Sequence, residues 1–409
     1  MELLTPALQN YPWGSKTLLA QLRGSEQPSS RPEAELWFGA HHAAPAMVAG
    51  TGLDALIGAD PDGTLGPRVR TRFGDELPFL LKILAVDTPL SVQAHPTRSQ
   101  AEAGFAAENA AGVGLSDHKR NYKDANHKPE LLVALTAFRA LAGLRPVADT
   151  IALFDAINCP VLARYETMLQ SDNEEEGLRA LFTTWISLPR AKRVELIDAT
   201  VHCCGTYLDH HTDAEGCEEW MVPVMRCVLE LNDLYPGDAG VLAALLLNYV
   251  ELAPGDALFL GAGRLHAYLS GLGVEIMANS DNVLRGGLTP KHVDVPQLVR
   301  ILDFSTLADP RIEVDRTGDE TQYAVPIDDF VLSRYRLSPT GTEGAHQFIV
   351  DTDGPAIVLC TAGRAWCDGI QFGPGEAVWI PACEDPCAVR AFEQSLKAEG
   401  ITEVFYARV

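Results

Sequence analysis

A heptapeptide written twice in the second half of the chain narrows the possible folds most. Pro254-Gly255-Asp256-Ala257-Leu258-Phe259-Leu260 is echoed by Pro374-Gly375-Glu376-Ala377-Val378-Trp379-Ile380. Each copy is a Pro-Gly turn feeding a short strand of the order acid, Ala, apolar, aromatic, apolar, and each follows an extended apolar segment. Small double-stranded barrels of the jelly-roll kind are built from such units. The copies diverge just past the strand. The first runs into Leu265-His266-Ala267-Tyr268, whereas the second runs into Pro381-Ala382-Cys383 and has no histidine. The chain therefore reads as one barrel that carries chemistry and a second, inert structural copy.

Three textures divide the 409 residues, too many for one ordinary core. Met1 to about Leu144 mixes short β-like runs with Gly/Pro turns. Leu77–Val86 and Glu130–Leu135 read as buried strands, with Asp87-Thr88-Pro89 as a turn. Pro146 to Tyr249 is helical in spacing. Asp149 is expected as an N-cap, Ala191–Leu208 as a helix, and Glu218–Leu231 as a helix kinked or shortened by Pro223. Asp238 is expected to cap a helix over Ala239–Asn248. The acidic run Glu174-Glu175-Glu176 fits a solvated loop or a helix start. From Val250 onward β texture returns. The expected class is mainly β with a helical insertion.

A net charge of −23 makes the chain a poor candidate for non-specific nucleic-acid binding and disfavours anionic membrane surfaces. A phosphorylated substrate would then need a local cluster of Lys and Arg. No secretory leader is visible, and no apolar run is long enough to span a bilayer, so the cytoplasm is the default location. The nine cysteines are scattered, with Cys203 and Cys204 adjacent and no paired Cys-x-x-Cys motifs, so they support neither a disulfide framework nor a Cys-rich zinc site.

Four stretches could carry chemistry. In Leu90-Ser91-Val92-Gln93-Ala94-His95-Pro96, strand alternation would turn Ser91, Gln93 and His95 to one face. That is costly in a barrel unless a metal or substrate satisfies them, and otherwise marks a solvent-facing edge. In Asn126-His127-Lys128-Pro129-Glu130, a carboxylate opens an apolar strand; it is a strand end or a ligand. His266 stands alone in an apolar stretch, where a hydrogen-bonded core histidine is the commoner outcome. Together Gln93, His95, Glu130 and His266 form a two-histidine, one-carboxylate, one-amide set that suits zinc as a Lewis acid. Spacing alone does not single these four out. The fourth stretch, Val274 to Lys291, runs a strand into a dense Asn-Ser-Asp-Asn turn. Arg285 follows beside two glycines, and Lys291 comes after Thr-Pro. An arginine fork with close backbone access suits a phosphate or an enediolate.

These stretches, in this order, resemble the type I mannose-6-phosphate isomerase family. The resemblance begins at Asn10-Tyr11-Pro12-Trp13-Gly14 and runs through Ala34 to His41, the Ser-x-Gln-x-His-Pro strand, Asn126–Glu130 and Asn232–Asp238. It ends on the long signature Asn279–Lys291, and so covers nearly all of the chain to about Leu302. It implies cupin-like jelly-roll barrels, one catalytic and one C-terminal, with an α-helical domain. The corresponding division is 1–145 and 250–305 for the catalytic barrel, 146–249 for the helical insertion and 306–409 for the last barrel. It implies one zinc ion per chain on Gln93, His95, Glu130 and His266, with Arg285 catalytic. Ser91, Lys82 and Lys291 fall at candidate phosphate or sugar contacts, which would supply the local basic cluster. His42 stands where proline is common, and Gly286 where alanine is common; the latter could loosen the loop that holds Arg285.

The implied reaction interconverts mannose 6-phosphate and fructose 6-phosphate through an enediol. It needs a polarised carbonyl and a base in reach of a carbon-bound proton. His127, Lys128, Lys82 and Asp281 are the base candidates, with the His127-Lys128 pair favoured because a desolvated lysine can lose its proton easily. The expected partner is a small sugar phosphate, with no nucleic acid and no membrane, and a monomer is the default state. The competing readings are a non-catalytic sugar-phosphate binder on the same barrel and a cupin metalloenzyme of another reaction. Among the latter, an iron dioxygenase is disfavoured by Gln93 as a fourth ligand.

Overall fold

The computed structural model describes residues 1–210, 218–337, 347–351, 353–392 and 400–409. Its organising element is the strand His266–Ala278, buried along its whole length apart from Ser270. Its C-terminal half pairs antiparallel with Phe79–Val86 on one side and Glu130–Ala134 on the other. Its N-terminal half pairs instead with Phe138–Leu144 and, at His266, with Val92–Ala94. Changing partners midway demands a bend. It falls at Gly271, where φ is 128° and a Cβ would come 2.6 Å from the Phe138 ring. One strand thereby belongs to both walls of the barrel. The apolar runs predicted at Leu77–Val86 and Glu130–Leu135 are these buried strands, and the first heptapeptide becomes Ala257–Leu260, paired with Glu130–Ala134.

The second copy becomes Ala377–Ile380, antiparallel to Ala356–Ala362 in a nine-stranded sheet. A four-stranded sheet, Gln347–Val350, Cys387–Ala391, Ala365–Cys367 and Ile370–Phe372, packs on it through Val358, Phe372, Val378 and Val389. This is the mainly β, cupin-type architecture expected. The N-terminal strand Glu2–Thr5 joins the C-terminal sheet, Leu3 lying opposite Val378.

Between the two parts of the first barrel lie the helices Val147–Ile157, Pro160–Glu166, Glu174–Ser187, Arg190–His210, Met221–Leu234 and Ala239–Ala243. Three details differ from expectation. Asp149 lies in the first turn of its helix, and the N-cap is Pro146. Pro223 also falls in a first turn, where its missing N–H has no intrahelical partner to lose, so Met221–Leu234 continues past it. The helix capped by Asp238 ends at Ala243, because from Leu247 the chain is recruited as a strand beside Phe138–Leu144. The first 145 residues also hold helices that the mixed texture concealed, among them Pro61–Phe73, broken at Gly66, and Arg98–Ala110. The acidic run Glu174–Glu176 forms a helix start capped by Asn173, where carboxylates favour the positive end of the dipole. The helical layer shares one core with the barrel wall: Phe182, Trp185 and Leu246 join Val92, Leu284 and Phe304. No described helix is long and apolar enough to cross a membrane.

Candidate metal centre and substrate pocket

Three strands set a row of side chains. Gln93 lies opposite His266 on one side and opposite Arg285, in Leu284–Gly287, on the other. Directly opposed residues of antiparallel strands share a face, so Arg285, Gln93 and His266 line up across one wall. Of the predicted run, only Val92–Ala94 is strand; half-buried Ser91 and fully buried His95 flank it.

His95, Glu130 and His266 meet in the protein interior, 0%, 2% and 1% exposed. Their histidine tautomers are readable. His95 Nδ1 lies 2.7 Å from the Asn282 carbonyl, and His266 Nδ1 lies 3.0 Å from the Arg264 carbonyl. A carbonyl can only accept, so both Nδ1 atoms carry the proton and both Nε2 atoms present bare lone pairs. Those lone pairs face Glu130 Oε2 at 3.3 Å and 3.2 Å. His95 Nε2 and Glu130 Oε2 are buried without a hydrogen-bond partner. Acceptors crowded together in a dry site repel one another unless a cation sits among them. The Gln93 amide closes the group, its Nε2 3.3 Å from His266 Nε2; amide nitrogen and oxygen are assigned by the network, and a flip turns the oxygen inward. Two neutral imidazoles, a carboxylate and an amide oxygen fit zinc. Burial drives the His95 imidazole down to about 4, the neutral form a metal requires. Burial opposes ionisation of Glu130, but the Lys128 ammonium beside it holds its carboxyl well below the usual range.

The dense Asn-Ser-Asp-Asn turn is largely internal bracing. Fully buried Asn282 donates to the Asp124 and Asn126 carbonyls and accepts from the Lys123 N–H at 2.6 Å. Ser280 Oγ donates to Asp124 Oδ1, and the Asp281 N–H to Asp124 Oδ2, both at 2.8 Å. This stitching lets the Asn282 carbonyl orient His95.

The remaining predicted residues separate. Lys128 Nζ lies 2.8 Å from Glu130 Oε1, directly behind the cage. His127, its neighbour, turns the other way, 2.9 Å from both Asp329 Oδ1 and Arg98 Nη2. There it lines a cleft of about 950 Å³ that includes none of the four cage residues. Asp281, its side chain 40% exposed, accepts from His41 Nε2 at 3.2 Å. Lys82 is buried, 3.2 Å from Glu275 and 3.9 Å from Glu35, with the Trp37 ring 5.2 Å below. Burial works against its charge, but Glu35 and Glu275 raise its affinity for the proton above the ordinary value. Arg285 and exposed Lys291 have no carboxylate partner among the described residues. Burial lowers both from their ordinary values, and the charge of Arg285 lowers Lys291 further. The Arg285 loop is pinned by Asp238, whose Oδ1 accepts from the Leu288 and Gly240 N–H groups at 2.6 Å and 2.7 Å.

Glu275 and Glu35 escaped the sequence reading. Glu275 accepts from buried Tyr268 at 3.0 Å and sits opposite Lys82 in the strand register. The signal was present, since each is a lone carboxylate inside an apolar strand, and Lys82 is a lone cation in another. Such charges are buried only in pairs.

Fold and site together define a cupin-type barrel protein with a histidine–carboxylate metal centre and, on the same wall, an arginine that has no acidic partner among the described residues. The model for phosphomannose isomerase type I, catalytic domain, matches residues 1–147. Mannose-6-phosphate isomerase of Escherichia coli K12 is 38% identical over 403 residues, covering 95% of this chain and 97% of that protein. The Schizosaccharomyces pombe protein of the same name is 33% identical, covering 92% and 93%. Among solved structures, a mannose 6-phosphate isomerase bound with zinc and yttrium aligns at a TM-score of 0.84 with 34% identity, over 100% of this chain and 99% of that one. The apo form from Salmonella typhimurium aligns equally well, at 0.84 and 34%. The chain belongs to the type I mannose-6-phosphate isomerase family.

Proposed function

We propose that this chain interconverts mannose 6-phosphate and fructose 6-phosphate by proton transfer through an enediol, with one zinc ion per chain. The observation that carries the reading is the cage itself: bare Nε2 lone pairs of His95 and His266 held against Glu130 Oε2, with an arginine that has no acidic partner among the described residues one strand beyond Gln93. Gln93, His95, Glu130 and His266 are the proposed ligands, and the chemistry such an ion supplies when bound is polarisation of the sugar carbonyl.

The chain's own residues supply the rest. Arg285 meets the negative charge that develops on the enediolate oxygens. Exposed Lys291, electrostatically coupled to it, and Ser91, beside the Gln93 strand, take the phosphate. Lys82, held as a cation by Glu275 and Glu35, contacts the sugar. Asp281 is the proposed proton carrier between C2 and C1. Of the four base candidates, Lys128 and Lys82 are buried in ion pairs and His127 is engaged with Asp329. Asp281 is part exposed, and His41 occupies one of its two oxygens.

The test is isomerisation of mannose 6-phosphate by purified protein before and after chelation, with zinc then restored. Turnover that vanishes with chelator and returns with zinc is the expected result. Folded, zinc-loaded protein without turnover would sink the reading.

A further inference from the structure

We propose that His41 is a positioning residue for the carboxylate of Asp281, holding it at the angle needed to carry the proton. The inference rests on the isomerase reading above and extends it to a residue outside both the cage and the Arg285 loop.

His41 follows the strand Glu35–Phe38, and its ring is 2% exposed, with Trp37 edge-on at a centroid distance of 4.9 Å. The Ala43 N–H donates to its Nδ1 at 3.3 Å. That nitrogen therefore keeps its lone pair, and the ring proton resides on Nε2. Nε2 lies 3.2 Å from Asp281 Oδ1, so the imidazole donates to the carboxylate. This is the reverse of the arrangement at His95 and His266, where backbone carbonyls select the other tautomer for a metal. The backbone next to each ring thus sets its task.

The Asp281 main chain is already fixed through its N–H to Asp124. Without His41, the side-chain torsions of a part-exposed aspartate would be free to wander. With one oxygen held, the other keeps a single direction, and misaiming a reacting group by about 1 Å can cost on the order of a hundredfold. Burial raises the Asp281 carboxyl, but His41, Lys128 and His42 outweigh it and keep the group ionised. The His42 ring stacks on His41 at 4.7 Å, with 24° between planes.

The experiment compares His41→Gln with His41→Met in zinc-loaded enzyme. The side chains are similar in bulk, but only the amide can donate where Nε2 stood. The methionine variant should lose kcat on the order of tenfold to a hundredfold. Its KM and zinc content should stay near wild type, and the glutamine variant should recover most of the loss. Adding Asp281→Asn to the methionine variant should cost little more than Asp281→Asn alone. Equal kcat in the glutamine and methionine variants, or fully additive losses, would overturn the proposal. Should the methionine variant fail to fold, Asp281→Glu decides. It keeps the charge but displaces the carboxylate from His41, and wild-type kcat there overturns the proposal as well. An inactive wild-type enzyme would remove the isomerase reading itself, an outcome separate from these.

Discussion

Replacing Arg285 with alanine separates the work of the arginine from that of the metal. Adjacent strands lie about 4.8 Å apart, which places Arg285 one strand from Gln93 and two from His266 on the same face. Its guanidinium is thus within side-chain reach of anything bound at the cage. A unit charge about 4 Å from a developing enediolate, at an effective dielectric of about 20, contributes about 4 kcal/mol. At about 1.4 kcal/mol per decade this corresponds to roughly a thousandfold. Part of that interaction already exists with bound substrate, so the expected fall in kcat is on the order of 10²–10³, as for loss of one oxyanion donor. Arg285 has no acidic partner among the described residues, so its removal breaks no ion pair, and the melting temperature should move little. Arg285→Lys keeps the charge without the fork and should fall between. The assay is a coupled measurement of fructose 6-phosphate, with zinc determined on the same samples. If zinc and kcat fall together, Arg285 organises the metal instead; if only KM rises, it binds substrate without acting on the chemistry.

Three further outcomes follow from the packing and the buried charges. Gly286→Ala should raise the melting temperature, worth about 0.5–1 kcal/mol from the unfolded chain. The nearest atoms to the added Cβ would be Leu298 Cδ2 at 3.3 Å and Val92 Cγ1 at 3.5 Å, so the gain requires the buried Leu298 tip to give by a few tenths of an ångström, and a lower melting temperature would refute it. Its neighbour Gly287 should not tolerate the change, because φ is 148° there and a Cβ would lie 2.3 Å from the Gly240 nitrogen. Zinc-free protein should lose stability between about pH 6.5 and 4. Burial moves His95 from its ordinary 6.5 to about 4, so over that window the unfolded chain binds the proton and the folded one does not. Glu130, depressed by Lys128 against its burial, contributes with the same sign, its stabilisation being lost as pH falls through the carboxylate range. Chelated protein melting higher at pH 5 than at pH 7 would contradict both.

Much of the fold was legible because strands must bury themselves. The apolar runs near Leu80 and Leu132 are short and bounded by turn residues, which favours covered strands, and the doubled heptapeptide marked two β units. The short helix after Asp238 was over-extended for a related reason. Ala239–Asn248 is apolar throughout, and uniform hydrophobicity does not distinguish a buried helix from a buried strand. At the site, Gln93, His95, Glu130 and His266 could be selected only through resemblance to a family, since each alone had a commoner structural reading.

By itself the sequence determined which chemical groups exist and which local conformations are open to them: turns at Pro-Gly, strands at the apolar runs, an unusual density of polar groups before Arg285. Only the tertiary structure decided orientation and partnership. Lys128 and His127 are neighbours in the chain, yet one backs the cage and the other turns to Asp329, because consecutive residues of extended chain face opposite ways. His41, Asp281 and Asp124 are distant in sequence and meet only after folding. Tautomers, too, depend on which backbone group comes to rest beside a ring. These are properties of contacts between remote segments, and local patterns of residues carry no information about them.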